Sequence, residues 1–273
     1  MSNFIAEYIS KAMNIYLLRS PELPKSKFSQ IYHLIDKNKG AVKFIVDKKE
    51  IHFDDSEEAD INVQLESKTW DSLFEVCKGY RKNHKGGMVT EQDVIVLLTE
   101  YPNEKNWFSA WQTDNKLNFF IQTSKWEKYG VLDSIYPVVY ELISIPLYIM
   151  LCSSNDELMK RAHKEWQEWG CAFDMCTNKS EVNRKLLSGD LCPSCKELLK
   201  NKSIDVYFKR QFFDTLEMVR SNLLLMERSF SLNTPSRLLL NTNSRRLEFL
   251  DLSNFIIKLS PKQIVRYIIL LKY

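Results

Sequence analysis

Apolar positions recur at three- and four-residue spacing in some stretches of the chain and run alternately or continuously in others, which sorts it into helical and extended segments. Residues 27–36 place Phe28, Ile31, Tyr32 and Ile35 on one helical face, with Gly40 beyond the end. Residues 69–82 do the same with Trp70, Leu73, Phe74 and Cys77, and His84-Lys85-Gly86-Gly87 breaks the pattern. Residues 42–46 and 61–65 read as strands. Residues 93–99 form a continuous apolar run, as expected of a central strand covered on both faces, and 117–123 form a second. Between these two, Asn106-Trp107-Phe108-Ser109-Ala110-Trp111 is expected to be a loop with two tryptophans, serving as half-buried anchors or as a binding surface.

The most apolar stretch, 135–152, is about as long as a bilayer crossing, but Pro137, Glu141, Ser144 and Pro146 interrupt it. It predicts a buried core helix that starts near Pro137 and is kinked or ended by Pro146. Residues 204–228 predict a long helix. Its seam of Phe212, Leu216, Val219, Leu223 and Met226 covers only two heptads, so packing within the chain is expected rather than a coiled coil. The end of the chain reads as a hairpin, 247–252 and 255–259, followed by a helix with Ser260 as cap and Pro261 as first residue. The expected fold is α+β: a mixed sheet with flanking helices, a four-cysteine zinc knuckle and a mainly helical C-terminal region. The expected division is 1–200 for the α+β part and 201–273 for a basic helix, hairpin and helix.

Composition narrows the class. Of 273 residues 44% are apolar and 12% aromatic, enough for a sizeable core and too many for a disordered chain. The net charge of +3 is unevenly spread: residues 201–273 hold twelve Lys/Arg against six Asp/Glu, and the rest of the chain is mildly acidic. A basic tail implies a solvated face, an acidic protein partner or nucleic acid. The first twelve residues lack the basic and apolar regions of a secretory signal, so a cytoplasmic protein with no membrane association is expected.

Six cysteines are present. Cys77 and Cys152 sit singly in apolar patterns and read as core residues. The other four form two close pairs, Cys171-x4-Cys176 and Cys192-Pro-Ser-Cys195, fifteen residues apart. In a reducing compartment such pairs favour a metal over disulfides. Zinc takes four thiolates in a tetrahedron, and a two-residue gap lets one turn aim both sulfurs the same way. A helix between the pairs, with Ser180 as cap and Gly189 as stop, would return the chain to close the site. The expected ligands of one structural Zn2+ are therefore Cys171, Cys176, Cys192 and Cys195. Lys179, Arg184, Lys185 and Lys196 are near enough in sequence to offset the thiolate charge. His163 is read as a capping or exposed residue, and His33, His52 and His84 suggest no second metal.

This cysteine pattern resembles the zinc knuckle of the archaemetzincins, a family of zinc metallopeptidases. Their central helix carries a His-Glu-x-x-His motif whose glutamate activates water on a zinc held by histidines. The resemblance covers about 60 residues. It aligns Tyr140-Glu141-Leu142-Ile143-Ser144 with that motif, keeping Glu141 and replacing both histidines. It implies a degenerate metallopeptidase-like scaffold. The chain is also similar to bacterial proteins that share the Asn106-to-Ser109 segment.

The leading expectation is a non-catalytic, zinc-stabilised interaction or regulatory protein with a protein partner. The alternatives are a zinc-dependent hydrolase with Glu141 as base and a nucleic-acid-binding protein acting through the basic tail, where Arg245, Arg246, Lys262 and Arg266 would form the patch. As a plain core residue Glu141 would tolerate replacement by Gln. No P-loop or Gly-x-Ser-x-Gly elbow is present.

Overall fold

A computed structural model describes residues 13–48, 66–84, 89–112, 117–131, 133–152, 170–174, 176, 179–202, 204–233, 238–241, 244, 246–249 and 255–264. The strand expected at 61–65, together with His52 and His163, lies outside them.

The chain runs β1 (Met13–Arg19), α1 (Lys25–Ile35), β2 (Val42–Ile45), α2 (Trp70–Asn83), β3 (Val94–Thr99), β4 (Ser109–Trp111) and β5 (Asn118–Gln122). It continues through a 3-10 turn (Trp126–Tyr129), α3 (Ile135–Leu151), a second 3-10 turn (Lys179–Glu181), α4 (Val182–Ser188), α5 (Pro193–Asn201) and α6 (Val206–Asn233). The fold is α+β, with a five-stranded mixed sheet in the order β2-β1-β3-β5-β4. The first four strands of that row are parallel, and β4 pairs antiparallel with β5 at the edge. All six residues of β3 are buried, as its apolar run predicts for a central strand. Strand alternation sends Ile95, Leu97 and Phe120 to one face, where Leu73, Phe74 and Cys77 of α2 cover them. Val94, Val96, Leu98 and Phe119 point to the other face, into a core shared with α1, α3 and α6.

The helix ends follow local chemistry. Thr69 caps α2, accepting from the Ser72 N–H at 3.3 Å. Pro146 does not end its helix, and α3 continues to Leu151. Fourteen of its seventeen residues are buried, so packing on every side offsets the hydrogen bond that Pro146 cannot make. A second correction concerns 109–111, a short edge strand rather than a loop. Trp107 stays exposed just before it.

Helix α6 meets the opposite edge of the sheet at Val42. Phe208, Phe212, Leu216, Val219 and Leu223 are buried in the main core, so the predicted seam packs inside the chain. Gln211 acts as a substitute strand: its Oε1 accepts from Val42 N–H at 3.0 Å and its Nε2 donates to Val42 O at 2.9 Å. The approach needs Gly40, because a Cβ there would lie 2.5 Å from Gln211 Oε1.

The chain divides into two compact units, 1–223 and 224–273, with the boundary inside α6. The division expected at 200/201 lies at the end of α5. The second unit contains a three-stranded antiparallel sheet, β6 (Leu238–Asn241), β7 (Arg246–Phe249) and β8 (Phe255–Lys258). The predicted hairpin corresponds to β7 and β8, and β6 adds a strand that the sequence pattern did not reveal. Helical structure then begins at Pro261. Ser260 N–H donates to Gln263 Oε1 and Gln263 N–H to Ser260 Oγ, a reciprocal capping box.

Gly40→Ala is expected to lower stability by about 2 kcal/mol, because it expels Gln211 and leaves the buried Val42 amide unpaired. In a Gln211→Ala background the same change should cost much less, which a double-mutant cycle by urea denaturation measures. Additive costs would show that Gly40 acts elsewhere.

Candidate metal centre

Two turns and one helix start build the cysteine region. Gly170, at a φ of 96°, and Cys171 both donate backbone N–H to Asp174 Oδ2, at 2.5 and 3.0 Å. Asp174 N–H returns to Cys171 O at 2.9 Å, folding 170–174 into a tight turn. Gly189, at a φ of 53°, ends α4 as predicted, in a conformation that side chains resist. The residue at the N-cap of α4 is Glu181 rather than Ser180. Ala172 N–H then donates to Asp190 O at 3.0 Å, bringing the two arms side by side. Cys192 is the N-cap of α5 and Pro193 its first residue, so Cys195 falls in the first turn.

The sulfurs of Cys171, Cys192 and Cys195 consequently lie within 4.8 Å of one another, and all three residues are buried. Four sulfurs around one zinc are separated by about 3.8 Å, from a Zn–S distance of about 2.3 Å, so the three fit one ion. The backbone is already arranged for thiolates. Phe173 N–H points at Cys171 Sγ (3.5 Å), and Cys195 N–H points at Cys192 Sγ (3.4 Å). Left to itself the Cys195 thiol resists ionisation: the hydrogen bond with Cys171, burial and the neighbouring sulfurs push it well above the ordinary thiol range. A divalent cation among them reverses that balance.

Cys176 is not one of this group. It is partly buried against the same core, and its thiol is raised by burial, with Lys185, Glu141, Asp174 and Glu181 as charged neighbours. Of the lysines expected to offset thiolate charge, Lys196 pairs with Asp190 at 2.6 Å. Lys179 turns to Asn106 and to aromatic rings. Lys185 is buried beside Glu141.

That buried lysine explains Glu141. One Glu141 oxygen accepts from Ser109 Oγ at 2.7 Å, and the other lies 4.0 Å from Lys185 Nζ, both side chains being about nine-tenths buried. Burial works against the Lys185 charge, but Tyr148, Glu141 and Tyr140 outweigh it and keep the ammonium protonated. Burial also pushes the Tyr148 phenol up to about 12 and Tyr140 well above its ordinary value. Tyr148 donates to Ala172 O at 2.9 Å, and its ring meets Phe173 edge-on at 5.4 Å, so α3 carries the cysteine turn directly. Ser144, aligned with the second motif histidine, donates back to Tyr140 O. His33 is bonded to Ser29, and His84 stacks on Tyr80.

The sequence reading expected Glu141→Gln to be nearly neutral. Lys185 changes that expectation, because the neutral amide leaves an ammonium buried without its carboxylate. A loss of roughly 3 kcal/mol is expected, toward the lower end for breaking a buried pair. The double variant with Lys185→Met should recover most of it, as read from denaturation midpoints. If the two losses simply add, the pair is not coupled. Comparison with family models, with curated proteins and with solved structures finds no match to this chain.

Proposed function

We propose that the chain is a zinc-stabilised interaction or regulatory protein, in which Cys171, Cys192 and Cys195 hold one structural zinc ion with Cys176 as fourth ligand. The observation that carries this reading is the buried sulfur trio with two backbone N–H groups aimed at its sulfurs. Thiolate ligands suit zinc, and four of them leave no position for water. The ion would pin the 170–174 turn, which Tyr148 ties to α3, to the start of α5. Thiolate ligation also fits the reducing interior in which the protein is expected to act. Among the described residues no helix is long and apolar enough to cross a membrane.

The alternative, a hydrolase with Glu141 as base, requires that carboxylate to face a metal with an open position. Its hydrogen bond to Ser109 and its place beside Lys185 favour a positioning role. A protein of the proposed kind carries one zinc per chain and cleaves no peptides. Cys192→Ser should lose the zinc and a large part of the stability, since a structural zinc is worth on the order of 10 kcal/mol. Cys176→Ser should weaken zinc binding without abolishing the sulfur trio. Metal analysis of zinc-replete protein giving less than half an equivalent overturns the proposal. Two equivalents with Glu141-dependent cleavage would establish the hydrolase.

One observation favours a second reading, nucleic-acid binding through the basic tail. Arg246 and Lys258 are directly opposite each other on β7 and β8, both exposed, and Lys262 is exposed close by in sequence. Like charges in register destabilise a sheet unless an anion meets them. Arg245 and Arg266 of the expected patch lie outside the described residues. Contacts to phosphates by these three cations would make binding fall with salt at a log–log slope of roughly −2 to −3. A gel-shift series measures it, and no binding at low salt leaves the patch as a protein contact.

A further inference from the structure

A different site lies at the carboxyl end of the parallel strands. Lys125 follows the end of β5, and Asn106 precedes β4, whose start is at the same edge because Ser109 pairs with Ile121. The two 3-10 turns pack against each other and bring Lys179 to this place. Its ammonium donates to Asn106 Oδ1 at 3.1 Å and lies over the rings of Phe108 (4.0 Å) and Tyr129 (5.4 Å).

Two features mark this place. Lys179 is partly buried, yet among the described residues neither it nor Lys125 has a carboxylate partner, although Glu127 and Glu181 are on the same turns. Burial and the charge of Lys125 push the Lys179 amine down to about 8. Asn106 (φ 54°) and Lys125 (φ 66°) are also the non-glycine residues described with left-handed backbone. Such strain gathers at ligand sites, where the surroundings hold it in place.

We propose that Lys125, Lys179 and Asn106 form a binding site for a phosphate-monoester dianion. Two ammonium groups match its two charges, and the Asn106 amide can donate to a third oxygen. The place agrees with the tendency of open, mainly parallel sheets to bind ligands beyond their strand ends. A dianion would relieve the lysine–lysine repulsion that the fold otherwise carries. The site is independent of the cysteines and of the zinc reading.

The test is acylation of the full chain with acetic anhydride, read lysine by lysine by mass spectrometry. Inorganic phosphate and a nucleoside 5′-monophosphate are compared with chloride at equal ionic strength. Phosphate at ten times its dissociation constant should slow labelling of Lys125 and Lys179 about tenfold, with the exposed Lys105 and Lys128 unchanged. Protection by the nucleotide at lower concentration assigns the phosphate to a nucleotide, and equal protection assigns it to free phosphate. Lys125→Gly, which relieves the left-handed strain while removing the charge, should abolish protection of Lys179. Protection no greater than with chloride, or unchanged in Lys125→Gly, overturns the proposal.

Discussion

A helix with almost no polar face can exist only where protein surrounds it, and α3 is such a helix. The sheet covers it on one side through Val96, Leu98 and Phe119, and α1 packs beside it. Most of the polar groups it carries find partners inside the molecule, because burying them unpaired costs several kcal/mol each, and the Tyr140 hydroxyl is the exception among its described side chains. Ser109 and Lys185 answer Glu141, and the carbonyl of Ala172 answers Tyr148. The cysteine turn therefore lies where α3 requires hydrogen-bonding groups. The turn is tied to the central helix through Ala172 and Phe173, both of which meet Tyr148.

Much of this arrangement was legible because it is local. The Gly189 stop, the six-residue apolar run of β3 and the paired cysteines depend on neighbours a few residues away. Three of the four cysteines do converge. Strand β1 was missed although it lies at the heart of the sheet. Its Asn14 breaks the apolar pattern, and only the fold supplies the reason, a hydrogen bond to Asp93 at 3.0 Å. Pro146 misled in the other direction, since the rule that proline ends helices assumes solvent as the alternative environment.

The groups that matter most for chemistry were hidden for a single reason: their partners are far apart in sequence. Glu141 lies beside Lys185 through the packing of α3 and α4, and Lys125 comes to influence Lys179 through the contact of the two 3-10 turns. From the sequence alone, Lys179 and Lys185 were both assigned to the thiolate charge because proximity along the chain was the only available measure. In the fold Lys185 goes to Glu141, and Lys179 goes to Asn106 and the Phe108 ring.

The contact between Gln211 and Val42 also bears on self-association. A sheet edge with bare N–H and C=O groups is a template on which other chains add strands. At one end of this sheet β4 is only three residues long, and at the other a single glutamine amide occupies both groups of Val42. The plug comes from a helix that follows the last strand of the sheet by more than eighty residues of sequence. During synthesis the strands are therefore complete well before their guard is. A nascent or truncated chain ending ahead of residue 211 would scatter light at concentrations where the whole protein stays clear, because what it lacks is the stopper of an otherwise finished edge.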